Sequence, residues 1–212
     1  MATLKLLPTD FSKRNQVKVP ISALKELTKR KLLRFPYRYR FAKAFQHIQA
    51  DEAIAIRTLT GYEAGMKVFL AYTCYEQITY VVVKLGVAGI KDKAFNEILN
   101  NEMCLKFHKN KKFIELINEA YENGLAIEDG KDKKSNTQLT NSLDKFIADK
   151  SADVLCLAYA IRNMYAHGEF TGGGAGITNN SIKDLFYELA DEVLNYSNKI
   201  YSQCIIQLAR RC

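Results

Sequence analysis

Apolar residues recur along most of this chain at intervals of three, four and seven, the period of helices that bury one stripe. From about Ser22 to Arg34, Leu24, Leu27 and Leu32 stand among Lys25, Lys29, Arg30 and Lys31, which predicts a first helix. Pro36 should end it, because proline lacks an amide donor and restricts the residue before it. A second helix is expected from about Tyr37 to Leu59, with Phe41, Phe45, Ile48, Ala55 and Ile56 on its buried side and Gly61 as the break. Residues Glu63 to Leu85 are apolar nearly all round, as a central bundle helix is. The run Val81 to Val83 would suit a strand, but the length around it favours helix.

Shorter helices are predicted near Lys93 to Phe107 and Lys111 to Glu122, followed by a charged, polar loop from Gly124 to Asn136. A further helix starts near Ser151, which can cap it with Asp153 in the first turn, and carries Val154, Leu155, Leu157, Ala158 and Ile161. Gly168 to Asn180 holds five of the eleven glycines and reads as a flap; it lacks the lysine and Ser/Thr of a phosphate-binding P-loop. Ser181 with Asp184 resembles a capping pair at the start of a last helix reaching about Arg210, whose Ile182, Leu189, Val193, Tyr196 and Ile200 keep a heptad-like spacing. The first twenty residues, with Pro8 and Pro20 and no period, read as an irregular arm. The pattern therefore predicts an all-α, up-and-down helical bundle over 61–212, with a basic N-terminal arm and additional helices over 1–60 packed on it.

Composition supports this class: 3 prolines and 11 glycines in 212 residues are too few for a turn-rich β architecture. Five cysteines, an odd number without a paired spacing, suggest neither a disulfide framework nor a zinc site. No apolar run at the start resembles a signal peptide, and Lys67, Glu76 and Lys84 interrupt the most apolar stretch, so a cytoplasmic protein with no membrane span is expected. The net charge of +8 is unevenly placed: residues 1–50 carry a balance of +10 and the remainder −2. That asymmetry points to a polyanion or an acidic surface as partner. Arg34, Arg38, Arg40 and Lys43, interleaved with Phe35, Tyr37, Tyr39 and Phe41, are candidate nucleic-acid contacts, although the helical period suggests that the rings themselves belong to the core.

The chemistry concentrates in Ile161-Arg162-Asn163-Met164-Tyr165-Ala166-His167-Gly168. A permanent cation, an amide and an imidazole lie within six residues, near a helix C-terminus where the macrodipole favours a cation. Asn163 and His167 are four apart and share a helical face; Arg162 is offset, so its side chain must curl round or the helix must unwind, and Gly168 makes unwinding easy. Arg162 can neutralise a phosphate oxygen and His167 can exchange a proton near neutrality, a set suited to cleaving a phosphodiester. RNA supplies its own nucleophile, so no metal or cofactor is needed. One motif offers one histidine. The economical solution is a homodimer that sets two motifs face to face; His47 or His108 of the same chain is the alternative. Glu76, a carboxylate within the most apolar helix, needs a partner, for which Arg162 is a candidate. Tyr165 is expected as a core or interface ring with its hydroxyl at a polar edge.

Arg162, a polar residue after it, and His167 after four intervening residues resemble the Arg-x4-6-His motif of the HEPN (higher eukaryotes and prokaryotes nucleotide-binding) domain family. The resemblance covers the motif, its preceding helix and the last helix, and more loosely the helix around Glu76; it does not extend to residues 1–60. It implies a helical bundle dimerised through its motifs, with Arg162 and His167 as the catalytic pair and Asn163 as the polar residue beside them. In many members this is a metal-independent endoribonuclease, often of toxin–antitoxin or antiviral systems, with an antitoxin or other regulatory protein as partner. Other members have lost catalysis, so the alternative is a silent module that binds a nucleotide, RNA or a protein.

Overall fold

The computed structural model describes residues 2–5, 16–49, 54–86, 101–127, 137–170, 177 and 180–210. Among them the protein is an all-α helical bundle with one two-stranded antiparallel sheet. Its helices are α1 Glu26–Ala44, α2 Ile56–Leu85, α3 Asn101–His108, α4 Lys111–Glu122, α5 Thr137–Asp149, α6 Val154–Ala166 and α7 Asn180–Ala209. They fall into two compact units, the first formed by Met1–Phe45, Thr73–Asn96 and Val193–Cys212, the second by Gln46–Tyr72 and Glu97–Glu192. Helices α2 and α7 contribute to both.

In the first unit two parts of the expected irregular arm form an antiparallel pair, β1 Ala2–Lys5 and β2 Gln16–Val19, with Ala2 opposite Val19; residues 6–15 of that arm lie outside the described residues. Helix α1 then runs straight through Pro36, against expectation. Proline removes the amide that would bond the Leu32 carbonyl, at a cost of about 3 kcal/mol in a helix interior. The reason the helix continues is its buried stripe, Thr28, Leu32, Phe35, Tyr39 and Ala42, which keeps phase across the proline. Phe35 stacks on Tyr201 at 4.6 Å, and the Gln77 amide donates to the Lys31 carbonyl. Burial of that ring pair and of the rest of the stripe outweighs one missing hydrogen bond.

This continuation overturns the stripe predicted for a separate helix over 37–59. Residues 37–44 take the phase of α1, so Phe41 is 63% exposed, and Ile56, now the first residue of α2, is 83% exposed. Gly61 does not break a helix: it is buried inside α2, and residues 45–49, 54 and 55 are the described non-helical positions between α1 and α2. The valine run 81–83 is helical, as its surroundings suggested.

The second unit is organised around phenylalanines. Phe107 meets Phe113 at 4.8 Å and Phe186 at 5.2 Å, and Phe186 in turn meets Phe113 at 5.6 Å and Phe170 at 5.4 Å. These rings join α3, α4, α7 and the chain leaving α6, so they fix the end of the helix that carries the candidate motif. Helix α5 was not predicted; it contributes Leu143 and Phe146 to the core. The helix expected from Lys93 is described only from Asn101. Most of the polar loop Gly124 to Asn136 and of the glycine-rich segment after Phe170 lies outside the described residues.

Candidate active site

Helix α6 is anchored at its start by Asp153 rather than Ser151. The Asp153 carboxylate accepts from the Leu155 amide at 2.9 Å, while the Asp153 amide donates to the Ser142 hydroxyl of α5 at 2.8 Å. Eight of its thirteen residues are buried, Asn163 among them. It ends without unwinding. The Gly168 amide donates to the Tyr165 carbonyl at 3.2 Å and the Glu169 amide to the Met164 carbonyl at 3.0 Å, with Gly168 at φ +76. This is a Schellman closure, which requires a left-handed residue at the glycine position.

Arg162 therefore reaches its neighbours through its side chain. One Nη donates to the Asn163 side-chain oxygen at 2.7 Å, and the guanidinium carbon lies 6.0 Å from the centre of the Phe69 ring. Asn163 is 2% exposed, so it holds the half-buried arginine from the protein side instead of facing solvent. His167, the residue capping the helix, is exposed, and its amide donates to the Asn163 carbonyl at 3.0 Å. The three motif residues thus form one backbone-linked unit, with a fixed cation and an accessible imidazole.

Tyr165 supports this unit from behind. Its ring packs 5.8 Å from Phe69 and 6.4 Å from Phe170, and burial, with Tyr62 nearby, pushes its hydroxyl pKa up. The close approach depends on Gly65 in α2: a Cβ there would stand 2.5 Å from Tyr165 and 2.9 Å from Phe170. Glu76 is half-buried on the part of α2 that belongs to the first unit.

No family model, no curated protein and no solved structure matches the chain.

The other candidates are distributed as follows. Arg34, Arg38 and Lys43 are exposed on α1, while Arg40 is half-buried, 5.0 Å from the Tyr37 ring, and donates through Nε to the Pro36 carbonyl at 3.4 Å. Phe35 and Tyr39 are core rings, as expected, but Tyr37 and Phe41 are exposed. His108 donates through Nε2 to the Phe146 carbonyl, and His47 places Nδ1 3.5 Å from Glu63. Among the described residues no group of three His, Cys, Asp or Glu side chains stands in metal-ligating geometry, and no helix is long and apolar enough to cross a membrane. A groove lined by Glu102, Leu105, Lys106, His108, Lys109 and Lys150 includes His108, the alternative histidine, but neither Arg162, Asn163 nor His167.

One polar cluster escaped the sequence reading. Glu63, buried on α2, binds Lys183 of α7 and accepts the Ile48 amide at 2.9 Å. Burial pushes its carboxyl up, but the hydrogen bonds from Lys183 and Ile48 and the charges of Lys183 and His47 outweigh it and hold the pKa below the ordinary value. Lys67, one turn along α2 and 3% exposed, lies 5.1 Å from the Tyr187 ring, whose hydroxyl donates to the Gln46 carbonyl at 2.6 Å. The signal was present as Glu63 and Lys67, opposite charges four apart on one face of a largely apolar helix.

Proposed function

We propose that the protein is a metal-independent endoribonuclease of HEPN type, working as a homodimer with a composite site. The observation that carries this reading is the pairing, on one helix end, of an arginine clamped by a buried amide with an exposed histidine. A guanidinium is suited by its forked donors to phosphate oxygens, and one already held in place costs little further ordering when RNA binds. In the reaction the RNA 2′-hydroxyl loses its proton to a base and attacks the adjacent phosphorus. The bond to the 5′-oxygen breaks as that oxygen takes a proton from an acid, leaving a 2′,3′-cyclic phosphate and a 5′-hydroxyl. Arg162 stabilises the charge that builds on the pentavalent phosphorane, and His167 carries protons.

Two proton-transfer groups are needed and each motif brings one. His108 is committed to a backbone carbonyl and His47 has Glu63 beside it, which favours the His167 of a second chain as the other group. By the same resemblance the enzyme belongs to a toxin–antitoxin or antiviral setting, with a regulatory protein holding it in check.

The test is incubation with mixed RNA in chelator, comparing wild type with Arg162→Ala and His167→Ala and measuring the protein's mass by sedimentation. The proposal expects cleavage by a dimer, lost in both variants while both remain folded. Intact RNA at high protein concentration would favour the silent binding module, and an active monomer would remove the two-histidine site.

A further inference from the structure

Helix α1 has two opposed faces of different character. At 3.6 residues per turn its buried stripe fills one side, and Leu27, Arg30, Arg34, Tyr37, Arg38 and Phe41 fall within an arc of about 100° on the other. Tyr37 is 68% exposed and Phe41 63%, the three arginines are exposed between and around them, and the helix contains a single acidic residue, Glu26, at its first position. A single exposed ring is ordinary on a surface, whereas neighbouring rings rimmed by polar side chains mark a contact site. Here they are set among permanent cations, at the centre of the chain's basic excess.

We infer that this face binds single-stranded nucleic acid. The arginines meet the phosphates while Tyr37 and Phe41, one helical turn apart with Cβ atoms about 5–6 Å from each other, offer ring faces to successive unpaired bases. A duplex would leave the rings without partners, because its bases are already stacked on each other. A membrane surface is disfavoured because rings and arginines share one face, whereas an interfacial helix separates its apolar and basic sides. An acidic protein would satisfy the arginines but gives no reason for two exposed rings beside them.

The inference is separate from the ribonuclease reading, and its test uses a strand that cannot be cleaved. Fluorescence anisotropy of a short 2′-O-methyl oligonucleotide is measured with wild type, with the double variant Tyr37→Ala/Phe41→Ala and with the triple variant Arg30→Ala/Arg34→Ala/Arg38→Ala, circular dichroism confirming helix content in each. Each lost ring should weaken binding about fivefold or more. Loss of the three arginines should flatten the dependence of log K on log salt by about 2. Equal affinity for single strand and duplex, or binding unchanged by loss of both rings, would overturn the inference. So would retention of anionic vesicles or an acidic peptide in place of the strand.

Discussion

At the scale of single residues, the motif was legible in the sequence but the work of its members was not. Spacing placed Asn163 and His167 on one helical face; the structure buries the first and exposes the second, because His167 is already the residue capping α6. In the proposed site Asn163 is thereby the residue that positions Arg162. Asn163→Ala should cost about 1–3 kcal/mol in urea denaturation, since the hydrogen bond between the buried amide and the half-buried guanidinium is lost, and should lower cleavage. Asn163→Asp, which keeps an acceptor oxygen, should recover more activity than the alanine variant; equal losses would leave the amide a packing role only. Gly65 gives a sharper case. A glycine-to-alanine change inside a helix ordinarily gains about 1 kcal/mol, whereas Gly65→Ala should lose about 1–3 kcal/mol, because its Cβ would sit 2.5 Å from the Tyr165 ring. A gain in stability would mean that α2 and α6 are not packed so closely there.

At the scale of elements, apolar period located the last helix closely and misplaced the division between the first ones. The last helix was expected from Ser181 to about Arg210 and is found as Asn180–Ala209. The error at Pro36 came from applying a local rule where tertiary burial of Phe35, Tyr39 and Ala42 prevails, and it reversed the assignment of Phe41 from core to surface. Pro36→Ala, which restores an amide facing the Leu32 carbonyl, should raise stability by about 1–3 kcal/mol in thermal or urea unfolding. No gain would argue that the helix is already adapted to the proline. Helix α5 was missed although Leu139, Leu143 and Phe146 keep helical spacing. Thr137, Thr140, Asn141 and Ser142, which compete for backbone hydrogen bonds, hide the signal in so short a segment.

At the scale of the molecule, the all-α class followed from composition and period, whereas the buried charges depended on contacts distant in sequence. Glu63 and Lys183 are 120 residues apart and meet only in the fold. Their pairing makes a prediction for acid stability. The folded carboxyl has a lowered pKa, so its contribution is present above the ordinary glutamate value of about 4.3 and is lost as pH falls through the folded value. Glu63→Gln should therefore cost about 3 kcal/mol at neutral pH, where Lys183 is left without its counter-charge, and the gap from wild type should close in acid. A gap independent of pH would show that shape, not charge, is what Glu63 provides.

The most direct measurement is cleavage of one RNA strand in chelator, compared with the same strand carrying a single 2′-deoxy sugar at the cut position. The account predicts that the ribose strand is cut to a 2′,3′-cyclic phosphate and a 5′-hydroxyl, that the deoxy strand survives at that position, and that His167→Ala cuts neither. Cleavage that requires a divalent cation, that leaves a 3′-hydroxyl, or that persists without the 2′-hydroxyl would contradict it.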